Sequence, residues 1–166
     1  MKKNILLILA FSLFLASCSS DKGEAAENPA DAIIGTWDAT EFRIDDNTAS
    51  DDAILGREIL EFLANKNCVI ISLQFNADLT ATATNSSNYV GDFQTTETGF
   101  DILCPTESDI ESSTYTYDGS VVVFLTPDGE TETVNVTIDG ETMIVNAADL
   151  DIPDFDESGE LIFTKR

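Results

Sequence analysis

From Ile33 onward, apolar and polar positions alternate with period two. Val69, Ile71, Leu73 and Phe75 alternate with Ile70, Ser72, Gln74 and Asn76, and Leu79, Ala81 and Ala83 alternate with Thr80, Thr82 and Thr84. Alternation of this kind marks half-buried strands, so the segment predicts a hairpin turning at Asn76-Ala77-Asp78. Further on, "STYTYDGSVVVFL" bends at Asp118-Gly119 and "TETVNVTIDGETMIVNA" bends at Asp139-Gly140, with Pro127-Asp128-Gly129 between them. Asp-Gly flanked by alternating strands is a strong hairpin signal. A last strand, Leu161 to Thr164, follows Gly159. One segment keeps a different period. In "SDDAILGREILEFLAN", Leu55, Ile59, Phe62 and Leu63 fall at helical spacing; Ser50 can cap the segment, and Asp51 and Asp52 sit where the helix dipole favours acids. The stretch Asn85 to Ser112 is the least regular and predicts one or two strands, near Tyr89 to Phe93 and Phe100 to Leu103, within long loops. The pattern is all-β and antiparallel, with one helix between the first and second strands.

The first residues read differently. Met1-Lys2-Lys3-Asn4 is a short positive segment, and Ile5 to Ala16 is apolar except for Ser12. A spanning helix needs about 20 apolar residues, so this run fits the core of a signal peptide instead. It ends at Leu15-Ala16-Ser17-Cys18, which resembles the bacterial lipoprotein lipobox at all four positions. The resemblance implies that Cys18 receives a diacylglyceryl thioether and becomes the acylated N-terminus after cleavage. At about 0.8 kcal/mol per buried methylene, such chains anchor a protein firmly in a membrane. An ordinary secretory signal with a chance cysteine is the alternative. Ser19, where lipoproteins retained in the inner membrane tend to carry Asp, implies an outer-membrane address, facing the periplasm or the surface. Residues 1–17 are thus the expected leader. Residues 18–32, small and polar with Pro29, are the expected lipidated cysteine and flexible tether. The folded domain is expected over 33–166.

Charge narrows the partners. The chain has 8 Lys and Arg against 31 Asp and Glu, a net charge of -23 at pH 7. Such a surface repels nucleic acid and anionic membranes, so membrane attachment falls to the lipid on Cys18. The acidity serves solubility or binds cations or a basic partner. There is no histidine, which removes Ser-His and Cys-His nucleophile pairs and His-based zinc sites. No cofactor motif and no catalytic motif is present, and the chain reads as a non-enzyme. An enzyme here would need carboxylate chemistry alone.

There are three cysteines. With Cys18 assigned to lipid, Cys68 and Cys104 remain outside the cytoplasm, where disulfides persist. Their bond would close a loop that the chain-entropy relation values at roughly 3.5–4 kcal/mol. Two buried free thiols are the alternative, and nothing like a Cys-x-x-Cys redox pair is present.

A family comes into view at Ile34-Gly35-Thr36-Trp37, which opens the first strand, and at the basic end of the last strand, "LIFTKR". With the lipobox and the strand order, these motifs resemble the lipocalin-like lipoproteins common in Bacteroidota. Those chains often carry a Phe-Asn-x-Asp-Gly-Thr turn; here it reads Phe75-Asn76-Ala77-Asp78-Leu79-Thr80, with Leu79 in the glycine position. The resemblance implies an up-and-down barrel of about eight strands. It also implies a structural role for Gly35 and Trp37, with Trp37 closing one barrel end beneath a basic side chain, Lys165 or Arg166. Inward candidates Val69, Ile71, Leu73 and Phe75 are large enough to fill such a barrel, so a filled core and a ligand cavity both remain open.

The segment "DLDIPDFDESGE", residues 149–160, is rich in acid, and Asp154 starts a register resembling half an EF-hand loop. Lys165 stands at the twelfth position, where a bidentate Glu is needed, so a solvated acidic loop is the better reading. The sequence therefore points to a lipid-anchored envelope protein whose barrel binds a small hydrophobic ligand. The alternative is a non-catalytic structural or protein-interaction module, an accessory subunit or inhibitor acting through its acidic surface. A carbohydrate-binding sandwich or a carboxylate-only hydrolase has thinner support, since sugar platforms want exposed aromatics and the chain has one Trp and three Tyr.

Overall fold

The computed structural model describes residues 29–91, 94–96, 99–150 and 158–166. The leader, Cys18, most of the expected tether and residues 151–157 of the acidic segment lie outside the described residues. Strands β1 (Gly35–Arg43), β2 (Ile71–Phe75) and β3 (Thr80–Asn85) come first. Two short strands follow, β4 (Gln94–Thr96) and β5 (Gly99–Asp101), then β6 (Asp109–Tyr117), β7 (Val121–Leu125), β8 (Thr131–Asp139), β9 (Thr142–Asn146) and β10 (Glu160–Lys165). The long strands close into an antiparallel barrel, in the order β1-β10-β9-β8-β7-β6-β3-β2, while β4 and β5 form a separate two-stranded sheet. Apart from that excursion, every barrel neighbour is adjacent in sequence or joins the two chain ends. This is the expected up-and-down, lipocalin-like meander. Closure removes the exposed strand edges that would otherwise template aggregation.

The hairpins sit where turn chemistry placed them. Asp118 Oδ1 accepts from the backbone N–H groups of Ser120 and Val121, and these bonds hold its carboxyl below the usual range. Two turns share one geometry. In one, Asn76 N donates to Thr80 O and Leu79 N to Asn76 O; in the other, Thr126 N donates to Glu130 O and Gly129 N to Thr126 O. Both need a left-handed residue at the fourth position, the type I turn with a G1 bulge. Gly129 meets the need with φ +91°, and Leu79 with φ +66°. Leu79 therefore belongs to the turn, half-exposed, rather than to the alternating face expected for it.

Helix α2 (Asp51–Asn65) joins β1 to β2 and packs across β1. Ser50 caps it as expected, with its side chain accepting from Ala53 N at 3.1 Å. Its buried stripe is Ala53, Leu60 and Leu63, with Ile59 and Phe62 packed alongside, and Leu55 is only half-buried. The helix ends in a Schellman motif: Asn67 N donates to Ala64 O, Cys68 N donates to Leu63 O, and Asn67 takes the left-handed conformation at φ +61°. That turn delivers Cys68 to its bond with Cys104, with Cα atoms 5.4 Å apart. A four-residue helix, α1 (Pro29–Ala32), occupies the end of the expected tether, and Ile33 after it is fully buried. Helix α1 therefore precedes the expected domain start, and Ile33, the first residue of the expected domain, is a core residue. Of the strand expected near Tyr89 to Phe93, residues 92–93 lie outside the described residues, and Tyr89 ends a 3-10 turn (Ser87–Tyr89); the described strands of this region are β4 and β5.

Candidate functional site

The barrel interior divides into a packed end and an open end. At the packed end, Trp37 is fully buried and its indole Nε1 donates to Ile33 O at 2.7 Å. Lys165 pairs with Trp37 across β1 and β10. Its ammonium lies 4.9 Å from the Trp37 ring centroid and donates to Ala32 O at 3.1 Å. Gly35 explains itself here. A Cβ at this position would stand 2.6 Å from Lys165 Cε, and the residue holds φ +137°, which side chains rarely adopt. The glycine leaves room for the lysine stem to cross the strand and reach the indole. Of the two expected basic residues, Lys165 takes the place over the ring. Arg166 turns outward to Asp38, with Nη2 at 2.7 Å from Oδ1. Around this plug, Phe163, Met143, Val122 and Val145 are buried to 2% exposure or less. Phe75 stacks edge-on against Tyr115 with centroids 5.0 Å apart, and burial pushes the Tyr115 hydroxyl above its ordinary range while it donates to Asn76 O.

At the opposite end the interior is not filled. A cavity of about 710 Å³ is lined by residues of β2, β3, β6, β7 and β8 and of the turn after β7. That is within the roughly 300–1,000 Å³ of small-molecule sites. Its apolar floor is Leu73, Phe75, Ala81, Phe124 and Val134, with Ile71 higher up. The cause is residue size. β3 faces inward with Ala81 and Ala83, opposite Phe75 and Leu73 of β2 and opposite Ser113 and Glu111 of β6. Small and polar side chains on β3 and β6 cannot fill the volume that Trp37, Phe163 and Met143 fill at the other end. Val69, counted among the inward candidates, precedes β2 and is 40% exposed.

The mouth of the cavity carries carboxylates: Asp109 and Glu111 on β6, Asp128 and Glu130 in the turn after β7, and Glu132 on β8. Asp109 is braced by Asn88 Nδ2 and the Tyr89 hydroxyl, which donates at 2.7 Å. Asp128 accepts from the Thr126 hydroxyl, which holds its carboxyl below the usual range.

Beside the barrel, the disulfide ties β4 and β5 to the end of α2. Phe62 meets Phe100 edge-on at 5.7 Å, and Lys66 Nζ donates to the carbonyl of the buried Ile102 at 2.6 Å. Among the described residues there is no group of three or more metal-ligating side chains, and no described helix is long and apolar enough to cross a membrane. Comparison with protein-family models finds no match to this chain, and comparison with curated proteins finds no relative.

Sequence reasoning named Gly35, Trp37, Cys68 and Cys104, and the structure gives each a structural contact. It named Ile71, Leu73 and Phe75 of the cavity as inward, but not the carboxylates at its mouth. The signal was present in parity: Asp109 and Glu111 share phase with Ser113 and Tyr115, while Ile110 falls on the other face.

Proposed function

We propose that this protein is a lipid-anchored envelope lipoprotein that holds a small, largely apolar ligand in the open end of its barrel, without catalysing a reaction on it. The observation that carries the reading is a cavity with an apolar floor in a barrel whose other end is tightly packed. A barrel needed only as a scaffold gains nothing from leaving Leu73 and Phe124 partly uncovered inside it, because uncovered apolar surface forgoes about 25 cal/mol per Å². The plug of Trp37, Gly35 and Lys165 closes the far end, so a ligand enters and leaves by the mouth alone. The same cavity favours this reading over a purely surface-acting interaction module. Anchoring rests on the sequence around Cys18 and places the barrel on a tether at the membrane, outside the cytoplasm. That compartment agrees with the Cys68–Cys104 bond.

Titration of the full-length protein with the neutral dye Nile red tests the ligand half. Saturable, blue-shifted emission at one dye per chain is expected; unshifted emission across the titration contradicts it. Membrane fractionation tests the anchor. The wild type should sediment with membranes, and a Cys18→Ser variant that sediments equally would remove the lipid from the account.

A further inference from the structure

The wall of the cavity changes character with depth, and the change specifies the ligand's head group. Directly paired residues on neighbouring strands share a face. Ala83 pairs with Glu111, Asn85 with Asp109, and Phe124 with Glu132. Ala81 and Val122, on the same parity as Ala83 and Phe124, are buried, which fixes that face as the interior. Glu111 and Glu132 therefore stand on the inner face of the barrel near its mouth, while Ile110 between Asp109 and Glu111 is 66% exposed on the outside. A strand with carboxylates inside and isoleucine outside inverts the ordinary pattern. Such local inversions are expected where function competes with stability.

Among the described residues, no cation answers these carboxylates. Among the described residues, Arg43 pairs with Glu41, Arg57 with Asp46 and Arg166 with Asp38. Lys66 is held by Ile102 O and the Phe62 ring, and Lys165 by Ala32 O and the Trp37 ring. None of the five lines the cavity. An apolar floor beneath a negative mouth with no fixed counter-charge matches one ligand class better than any other.

We infer that the cavity takes amphiphiles with a compact apolar body and a cationic head, an ammonium or a guanidinium, and disfavours anionic amphiphiles such as fatty acids. The inference rests on the ligand reading above. The body occupies the space over Leu73 and Phe124, and the head stays at the mouth beside Glu111 and Glu132. There it keeps part of its hydration, so the attraction is not offset by full desolvation.

The test uses three probes with the same chain: decylammonium, decanoate and 1-decanol, each titrated calorimetrically into the full-length protein. Exposed or half-exposed ion pairs contribute about 0.2–1 kcal/mol each, so two or three together predict about tenfold tighter binding of decylammonium than of 1-decanol. Decanoate should bind more weakly than 1-decanol, and raising the salt should shrink both differences. In the pair Glu111→Gln/Glu132→Gln, decylammonium should bind no tighter than 1-decanol binds to the same variant. The pair Glu58→Gln/Glu61→Gln, which removes the same charge from the exposed face of α2, should preserve the preference. Equal affinities, tighter decanoate, or a preference that survives at the mouth variants but not at the helix variants would overturn the inference while leaving the cavity a ligand site. If 1-decanol does not bind either, the ligand reading itself falls.

Discussion

Replacing Gly35 by alanine should destabilise the barrel, and most of the loss should run through Lys165. Two costs are legible. The backbone at φ +137° is a region essentially reserved for glycine, which costs a side-chain-bearing residue about 1–3 kcal/mol. The new Cβ would also lie 2.6 Å from Lys165 Cε, so the lysine stem must leave. It then gives up its hydrogen bond to Ala32 O and its place over Trp37. A charged hydrogen bond contributes about 1.5–3 kcal/mol and a cation–π contact about 0.5–2 kcal/mol, part of which water restores to the freed ammonium. Alanine's smaller unfolded-state entropy offsets about 0.4–1 kcal/mol. The net expectation is a loss of about 2–4 kcal/mol. Urea unfolding followed by fluorescence reads it directly, because Trp37 is the one tryptophan in the chain. A double-mutant cycle with Lys165→Ala separates the two costs. Once the lysine is gone, Gly35→Ala should cost only the backbone part, leaving a coupling of about 1–2 kcal/mol. Additivity within about 0.5 kcal/mol would refute the reasoning, since it would mean that the lysine does not lean on the glycine.

Three further outcomes are expected. Gly129→Leu copies the left-handed leucine of the Asn76–Thr80 turn into its sister turn. No atom lies within 4 Å of the added Cβ, so the loss should be the backbone cost alone, about 1 kcal/mol by urea unfolding. Reducing the Cys68–Cys104 bond, or replacing both residues by serine, should lower stability by up to roughly 3.5–4 kcal/mol, and hydrogen exchange should rise first around β4 and β5. Asp118 is ionised and hydrogen-bonded in the folded state, with its carboxyl below its ordinary value. Its contribution is therefore complete above the unfolded carboxyl value of about 4 and is lost as the pH falls through the lower folded value. The stability gap between wild type and Asp118→Ala should be constant above pH 5 and shrink in acid; a gap that widens in acid would reverse the sign of that argument.

Much of the barrel was legible because its turns obey strong local rules. Asp118-Gly119, Pro127-Asp128-Gly129 and Asp139-Gly140 each end a strand where a left-handed residue is needed, and Ser50 with Asp51 starts the helix. Leu79 was misread as a strand residue because side-chain type outweighed turn position; the flanking Asn76, Asp78 and Thr80 carried the correct signal. The region from Asn85 to Ser112 was only partly legible, since its short strands are held by long-range contacts, the disulfide and the Phe62–Phe100 pair, rather than by their own period. At the packed end, Gly35 and Trp37 stood out, but choosing Lys165 over Arg166 needed the register of β1 against β10. The cavity was hidden for a different reason. Whether a barrel is full depends on the summed size of inward residues on several strands. Ala81, Ala83 and Glu111 become neighbours only once β2, β3 and β6 are aligned.

The central claim is that the open end of the barrel is a ligand site, and blocking it from its wall is the most direct test. Ala83 lines the cavity, half-buried, across from Leu73. Ala83→Phe would place a ring where the apolar body of a ligand lies. Calorimetric titration with 1-decanol should show one saturable site in the wild type and none in Ala83→Phe, with the variant unfolding in urea at least as late as the wild type. Equal binding by both proteins, or no binding by either, would contradict the account.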